Sequence, residues 1–179
     1  MSAALPKVIV DAAVHARLLD ALTKAEIGAL IDRYIVLLDT ADDPDRVDEE
    51  YLKVFTEDVR LTFPIGRRSG VEGLADFQRQ ACRAWERTYH QSGNHLVELV
   101  GERAEISAQV LAVHIESGSD PIGVQHAQRL DVGGRYVASA VSTPDGWRIA
   151  ALEFVITWTS GMGRPGKTYA AGPQIQERL

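Results

Sequence analysis

Cys82 is the only cysteine among 179 residues, so no internal disulfide can form and one chain cannot assemble a cysteine-based metal cage. Long hydrophobic runs are missing too. The apolar stretches are strand-sized and broken by charge, short of the roughly 20 residues that a membrane-spanning helix needs. Positive charge is not in excess: the formal net charge is -6, and the Lys and Arg residues are scattered rather than gathered in a stripe. Nucleic acid is therefore not an expected partner. The opening segment MSAALPKVIVDAAVHARLLD has no basic start, apolar centre and small-residue cleavage site in sequence, and Asp11 interrupts it early. The expectation is a soluble, cytoplasmic protein. No internal repeat and no low-complexity tract is found.

What remains is an ordinary globular composition, 45% hydrophobic and 25% charged, in a length that suits one core and is short for two. Residues 24 to 40 carry Ile27, Leu30, Ile31, Tyr34, Ile35 and Leu38 at the spacing of one helical face. Thr23 is placed to cap this helix, with Glu26 three residues on completing a capping box. The acidic turn ADDPD leads to a second helix over about 46 to 55. RLTFP (60 to 64) reads as a short strand stopped by Pro64, and GRRSG as a turn-rich connection. A third helix is predicted over about 71 to 87, with Leu74, Phe77, Ala81, Ala84 and Trp85 on one face.

After Arg87 the pattern changes to β-branched residues and period-two alternation. Strands are predicted over 88 to 100, 103 to 117, 123 to 141 and 146 to 159, and Pro144, Asp145 and Gly146 mark the clearest hairpin turn. Helices first and a long antiparallel meander second make an α+β fold, in which the sheet curls around the helices and leaves a cavity between them. The expected organisation is an N-terminal extension (1 to 23), one domain (24 to 161) and a Gly- and Pro-rich C-terminal tail (162 to 179).

Asp39 follows Ile31 and Ile35 at steps of four and so projects from the rim of the buried helix face. Half-burial there would raise its pKa toward neutrality and make it a proton-exchanging group; a plain cap of the ADDPD turn is the competing reading. His90 stands where the first long strand begins. Imidazole suits proton traffic at neutral pH, although a lone histidine also serves as a hydrogen-bonded structural group.

Around these residues the chain resembles the SnoaL-like branch of the nuclear-transport-factor-2-like superfamily, which holds scytalone dehydratase, bile acid 7α-dehydratase and polyketide cyclase-like proteins. The likeness lies in R-Y-x-x-x-L-D (Arg33 to Asp39), F-T-E-D-V (Phe55 to Val59), L-T-F-P (Leu61 to Pro64) and G-V-E-G (Gly70 to Gly73). It continues in T-Y-H with Asn94, G-E-R-A (Gly101 to Ala104), G-R-Y (Gly134 to Tyr136) and D-G-W-R-I (Asp145 to Ile149), spanning about 24 to 161. The resemblance implies a cone-shaped α+β barrel, three N-terminal helices packed on a curved, mainly antiparallel sheet. It also implies a homodimer or higher homo-oligomer paired through the exposed sheet face, and chemistry without a cofactor. It makes Asp39 and His90 a catalytic dyad, with Tyr34, five residues before the aspartate, donating to a substrate oxygen.

The pattern is also broken in places. The second histidine of scytalone dehydratase aligns with Gly134 or Arg135, and Phe63 stands where that enzyme has a tyrosine. His114 and His126 lie on strands whose parity is open, and His95 is placed on the side of its strand opposite His90. Arg129 and Asp131 form an R-x-D pair like that of limonene epoxide hydrolase, but the last strand, VITWTSG, lacks the partner aspartate. No HxH or HxxxH spacing places two ligands on one face, so no metal is expected. GMGRPG matches a phosphate loop only in glycine content. Trp85, Trp147, Trp158, Phe77, Phe154 and Tyr136 are candidates for an aromatic pocket and equally for the core.

These readings converge on an acid–base enzyme acting on a small apolar, ring-bearing molecule. Dehydration is preferred over isomerisation or cyclisation. Asp39 and His90 are the catalytic residues, and Tyr34, Phe63, Trp85, His114 and Tyr136 contact the substrate. A non-catalytic ligand-binding or assembly module with the same fold is the alternative.

Overall fold

A computed structural model describes residues 11 to 40, 44 to 82, 85 to 116 and 129 to 161. Helix α1 runs Ala12–Thr40, α2 Pro44–Leu52 and α3 Leu74–Cys82; the strands are β1 Phe55–Phe63, β2 Gly66–Ser69, β3 Trp85–Val100, β4 Arg103–Glu116, β5 Arg129–Thr143 and β6 Gly146–Gly161. The strands form one sheet in the order β2-β1-β6-β5-β4-β3. Every neighbouring pair is antiparallel except β1 with β6. The curved sheet is open rather than closed, so the expected barrel is a cone whose helices cover its concave face.

Helix α1 begins twelve positions earlier than its apolar periodicity suggested. Asp11 supplies the cap, its Oδ1 accepting from the Ala13 amide at 2.7 Å. Thr23 is thus mid-helix and caps nothing. The reason lies in what periodicity detects: it reports the face that packs, and residues 11 to 22 are all exposed, whereas Ile27, Leu30, Ile31, Tyr34 and Ile35 are buried. Burying each of those apolar side chains contributes about 1.5–3 kcal/mol before entropy is set against it.

The helix boundaries other than that of α1 and the start of β1 shift by two to five residues. Phe55 opens β1 instead of ending α2, GRRS forms the short strand β2, and α3 stops at Cys82, so Trp85 belongs to β3. Phe55 and Trp85 are aromatic positions that fit either class, and GRRS has no apolar alternation to mark it as a strand. The turn at ESGSDP, the strand expected over 123 to 128, His126 and the tail with GMGRPG lie outside the described residues.

On the concave face, β4 presents Ala104, Ile106, Ala108, Val110 and Ala112, all buried and mostly small. They pack on β5 residues such as Tyr136 and Ala138. Small residues in the middle of a concave sheet leave volume unfilled beneath the helices. Several register shifts bend the strands; one falls in β3 between Gly93 and Leu96, where Asn94 takes φ 51°, and one in β6 at Thr157, opposite Gly133 and Gly134. The first bulge resets strand parity. His95 therefore faces α1, as His90 does, with its Nε2 3.2 Å from Asp32 Oδ1, and is not on the opposite side.

Candidate active site

The unfilled volume is a cavity of about 500 Å³ between α1, α3 and the sheet. Its walls are mainly apolar, among them Phe63, Phe77, Val110, Val132 and Phe154. Polar groups enter it from Tyr34, Gln78, His90, His114 and Tyr136. None of the described lining residues is Lys or Arg.

Asp39 and His90 are joined directly. The last turn of α1 aims Asp39 at β3, where its Oδ1 accepts from the Thr88 hydroxyl at 2.8 Å and lies 2.7 Å from His90 Nδ1. Its Oδ2 accepts from the His90 amide at 2.6 Å. The expected upward pKa shift of this carboxyl is not found. Burial does push it up, but the hydrogen bonds and charge of His90, with the Thr88 hydroxyl, outweigh burial and hold it below its ordinary value. Asp39 is thus a fixed carboxylate rather than a proton exchanger. It holds the Nδ1–H of His90, which leaves Nε2 as the acceptor of a ring that borders the cavity. Asp39 itself borders a second, more polar recess of about 280 Å³, with Tyr51, Arg79 and Thr88. The dyad stands between the two spaces.

His114 resolves the open question of parity. It lies on the concave side of β4, opposite Thr88 of β3, and its ring meets that of His90 edge-on at 5.6 Å between centroids. Its Nδ1 donates to the Leu130 carbonyl at 3.3 Å, which leaves Nε2 as an acceptor. Burial first, then the neighbouring His90, lowers its pKa and keeps it neutral near pH 7. The positions aligned with a second histidine do not reach the cavity lining: Gly134 has no side chain and Arg135 is exposed on the convex face. The histidine on a later strand that meets His90 is His114.

Tyr34 and Tyr136 are both buried, their rings 5.7 Å apart, and burial raises both hydroxyl pKa values. Gln78 donates its Nε2 to the Tyr34 oxygen at 2.8 Å. Trp85 packs on His114 at 5.0 Å between centroids, and Phe63 stacks on Phe77 at 6.2 Å. Of the aromatic candidates, Trp147 instead packs against the main core, and Trp158 is half-exposed on the convex face over Gly133. Arg129 and Asp131 form an exposed ion pair at 2.6 Å, and neither lines the cavity. Among the described residues no three His, Cys, Asp or Glu side chains converge to hold a metal ion. Gln78 went unremarked in the sequence, since a lone glutamine on a helix carries no local signal.

A model of the SnoaL-like domain matches residues 20 to 153. The chain belongs to the SnoaL-like domain family. Solved structures agree with this SnoaL-like assignment. The protein Kfla4162 from Kribbella flavida is 25% identical, with a TM-score of 0.67 over 79% of this chain and 95% of its own. A candidate scytalone dehydratase from Novosphingobium aromaticivorans is 19% identical, with a TM-score of 0.67 over 89% and 97%. The hexachlorocyclohexane dehydrochlorinase LinA-type3 from Novosphingobium barchaimii is 17% identical, with a TM-score of 0.66 over 83% and 95%. At these last two identities the likeness speaks for the fold. No match was found among curated proteins. Among the described residues, no helix of this SnoaL-like chain is long and apolar enough to cross a membrane.

Proposed function

We propose that this protein is a cofactor-independent acid–base enzyme that removes water from a small, apolar, ring-bearing substrate. One observation carries the reading: His90 is held through Nδ1 by a carboxylate and borders a mainly apolar cavity. A fixed imidazole whose Nε2 remains an acceptor, set in a mainly apolar pocket, is suited to proton abstraction. Two structural neighbours bear names, dehydratase and dehydrochlorinase, that denote eliminations.

In this reading His90 Nε2 takes the proton from a carbon beside a carbonyl, and Asp39 stabilises the imidazolium that results. The electron pair of the broken C–H bond passes through the carbonyl system and forms the new C=C bond as the C–O bond breaks. The imidazolium returns its proton to the departing hydroxyl, so water leaves and His90 is restored. His114 Nε2 lies close enough to His90 to orient that hydroxyl. A tyrosine hydroxyl stabilises the charge that grows on the carbonyl oxygen.

Incubation of ring-bearing hydroxy-ketones with the protein and with His90→Ala tests this. Loss of water by the first and its fall by about a hundredfold or more in the second are expected. Product formation indifferent to His90→Ala would rule the mechanism out, and ligand binding without any turnover would favour a binding module. We further read the protein as a homo-oligomer paired through the convex sheet face, where Tyr89, Val137 and Trp158 are exposed. Sedimentation of Trp158→Glu as a smaller species than the parent is the expected outcome; a monomeric parent refutes it.

A further inference from the structure

We propose that the outer face of α1 binds the same face of a second copy in antiparallel register, so that the exposed N-terminal half of each α1 lies along the packed half of the other. This contact is separate from the cavity and from the convex face of the sheet.

The observation behind it is a helix with two apolar faces. At about 3.6 residues per turn, Ile27, Ile31, Tyr34 and Leu38 share one side of α1, and that side is packed into the core. Val14, Leu18, Leu22, Ala25, Ala29 and Val36 follow one another at steps of three, four and seven on the opposite side. There Val14, Leu18, Leu22 and Val36 are 46%, 50%, 64% and 57% exposed. An apolar stripe of this length facing solvent marks a contact surface. Residues 12 to 22 are moreover exposed all round, and a helix of about that length is marginal in water without something to pack on.

The composition of the stripe selects a second copy as its occupant. The N-terminal part is large, with Val14, Leu18 and Leu22, and the part after it is small, with Ala25 and Ala29. Antiparallel pairing about Leu22 sets Val14 on the partner's Ala29 and Leu18 on the partner's Ala25, so large meets small throughout. Parallel pairing would set leucine on leucine and leave gaps between the alanines. In the antiparallel register Asp11 comes opposite the partner's Arg33, and symmetry makes that ion pair twice; both residues are exposed in the single copy. Asp32, which interrupts the stripe before Val36, accepts from the Ser92 hydroxyl of β3 at 2.6 Å.

The seat is wider than the helix. Beside the small part of the stripe runs a groove between α1 and β3, lined by Ala25, Gly28, Ala29, Leu96 and Val97 among others. Leu96, at the β3 bulge, is 72% exposed. Pairing over residues 11 to 33 is about 33 Å long. Each copy offers both the large and the small part, so the contact closes on itself as a two-fold dimer.

Cysteine pairs read the register. Positions 14 and 29 of one helix are about 22 Å apart, too far for a disulfide within the chain. Oxidation of the double variant Val14→Cys/Ala29→Cys should therefore give a covalent dimer, while Val14→Cys and Ala29→Cys singly should stay near the background set by Cys82 in the parent. Single variants that link as fully as the double one overturn the antiparallel register, and a double variant that does not link overturns the contact.

Sedimentation then separates this contact from the pairing of convex faces. Leu18→Glu changes an exposed side chain, so it should fold and sediment as a smaller species than the parent. Trp158→Glu should still hold a dimer that Leu18→Glu, added to it, reduces to a monomer. A Trp158→Glu protein that is already monomeric overturns the α1 contact and leaves the convex-face reading standing. Cover of the stripe by residues 1 to 10, or by a different protein, predicts no covalent dimer and an unchanged size for Leu18→Glu, and that pair of results likewise overturns the proposal.

Discussion

His90 Nδ1 and Asp39 Oδ1 lie 2.7 Å apart although 51 positions separate them in the chain, and the same carboxylate also accepts from the His90 amide. One side chain thus fixes both the ring and the backbone of the residue it orients. Such double engagement ties the geometry of the dyad to the packing of α1 on β3.

Asp39→Asn should therefore damage more than charge. An amide cannot offer two acceptor oxygens, so either the His90 ring or the His90 amide loses its partner. We expect turnover to fall by about a hundredfold or more and stability to drop by about 1–3 kcal/mol, read by steady-state kinetics and urea unfolding. Unchanged turnover would show that Asp39 is structural.

The pH dependence of stability has two steps with a common sign. His114 has a folded pKa below its ordinary 6.5, so the native state binds fewer protons than the unfolded chain and loses stability as pH falls below that value. Asp39 has a folded pKa below its ordinary 3.8, so its contribution is complete above that value and disappears only as pH falls through the lower folded one. Urea unfolding should accordingly show a decline between about pH 7 and pH 5 that is smaller in His114→Gln. A wild-type protein equally stable across that range contradicts the placement of a neutral, desolvated His114.

Tyr51 tests the second recess. Its hydroxyl is buried without a hydrogen-bond partner among the described residues, while its ring packs beside Tyr34 and Phe55. Removing an unsatisfied polar atom and keeping the ring should be neutral or stabilise by up to about 1 kcal/mol, so Tyr51→Phe is expected to melt no lower than the parent. A loss above that size means the hydroxyl has a role.

Ala112 tests the cavity as empty space. It is buried on β4 and lines the main volume. Ala112→Leu should fill part of that volume with little loss of stability, because a side chain entering a void has room that one entering a packed core lacks. Acetylnaphthalene affinity should fall by about tenfold or more, measured by fluorescence titration. Undiminished affinity would move the ligand site elsewhere.

Much of this was legible in the sequence. The stripe from Ile27 to Ile35 located the packed half of α1, the period-two segments located β3 to β6, and the local patterns around Asp39 and His90 named the family and the dyad. Periodicity could not see residues 12 to 22 as helix, because a helix with no buried face leaves no apolar repeat. It left His114 open, although β4 runs without a register shift against β5 and His114 shares the parity of Ala104 to Ala112, and it misplaced His95. For His95 the reason is a bulge of one residue, which reverses strand parity, and nothing in Gly93 or Asn94 announces that reversal to a reader of alternation alone.

By itself, then, the sequence determined the fold class, which rests on local periodicity, and its resemblance to the family singled out Asp39 and His90 together. Tertiary structure alone decided that Asp39 is a held carboxylate rather than a proton exchanger, that His114 is the histidine beside His90, and that Gln78 meets the Tyr34 hydroxyl. Those are matters of desolvation and of which donor meets which acceptor. Both depend on atoms brought within 3 Å by strands and helices far apart in the chain.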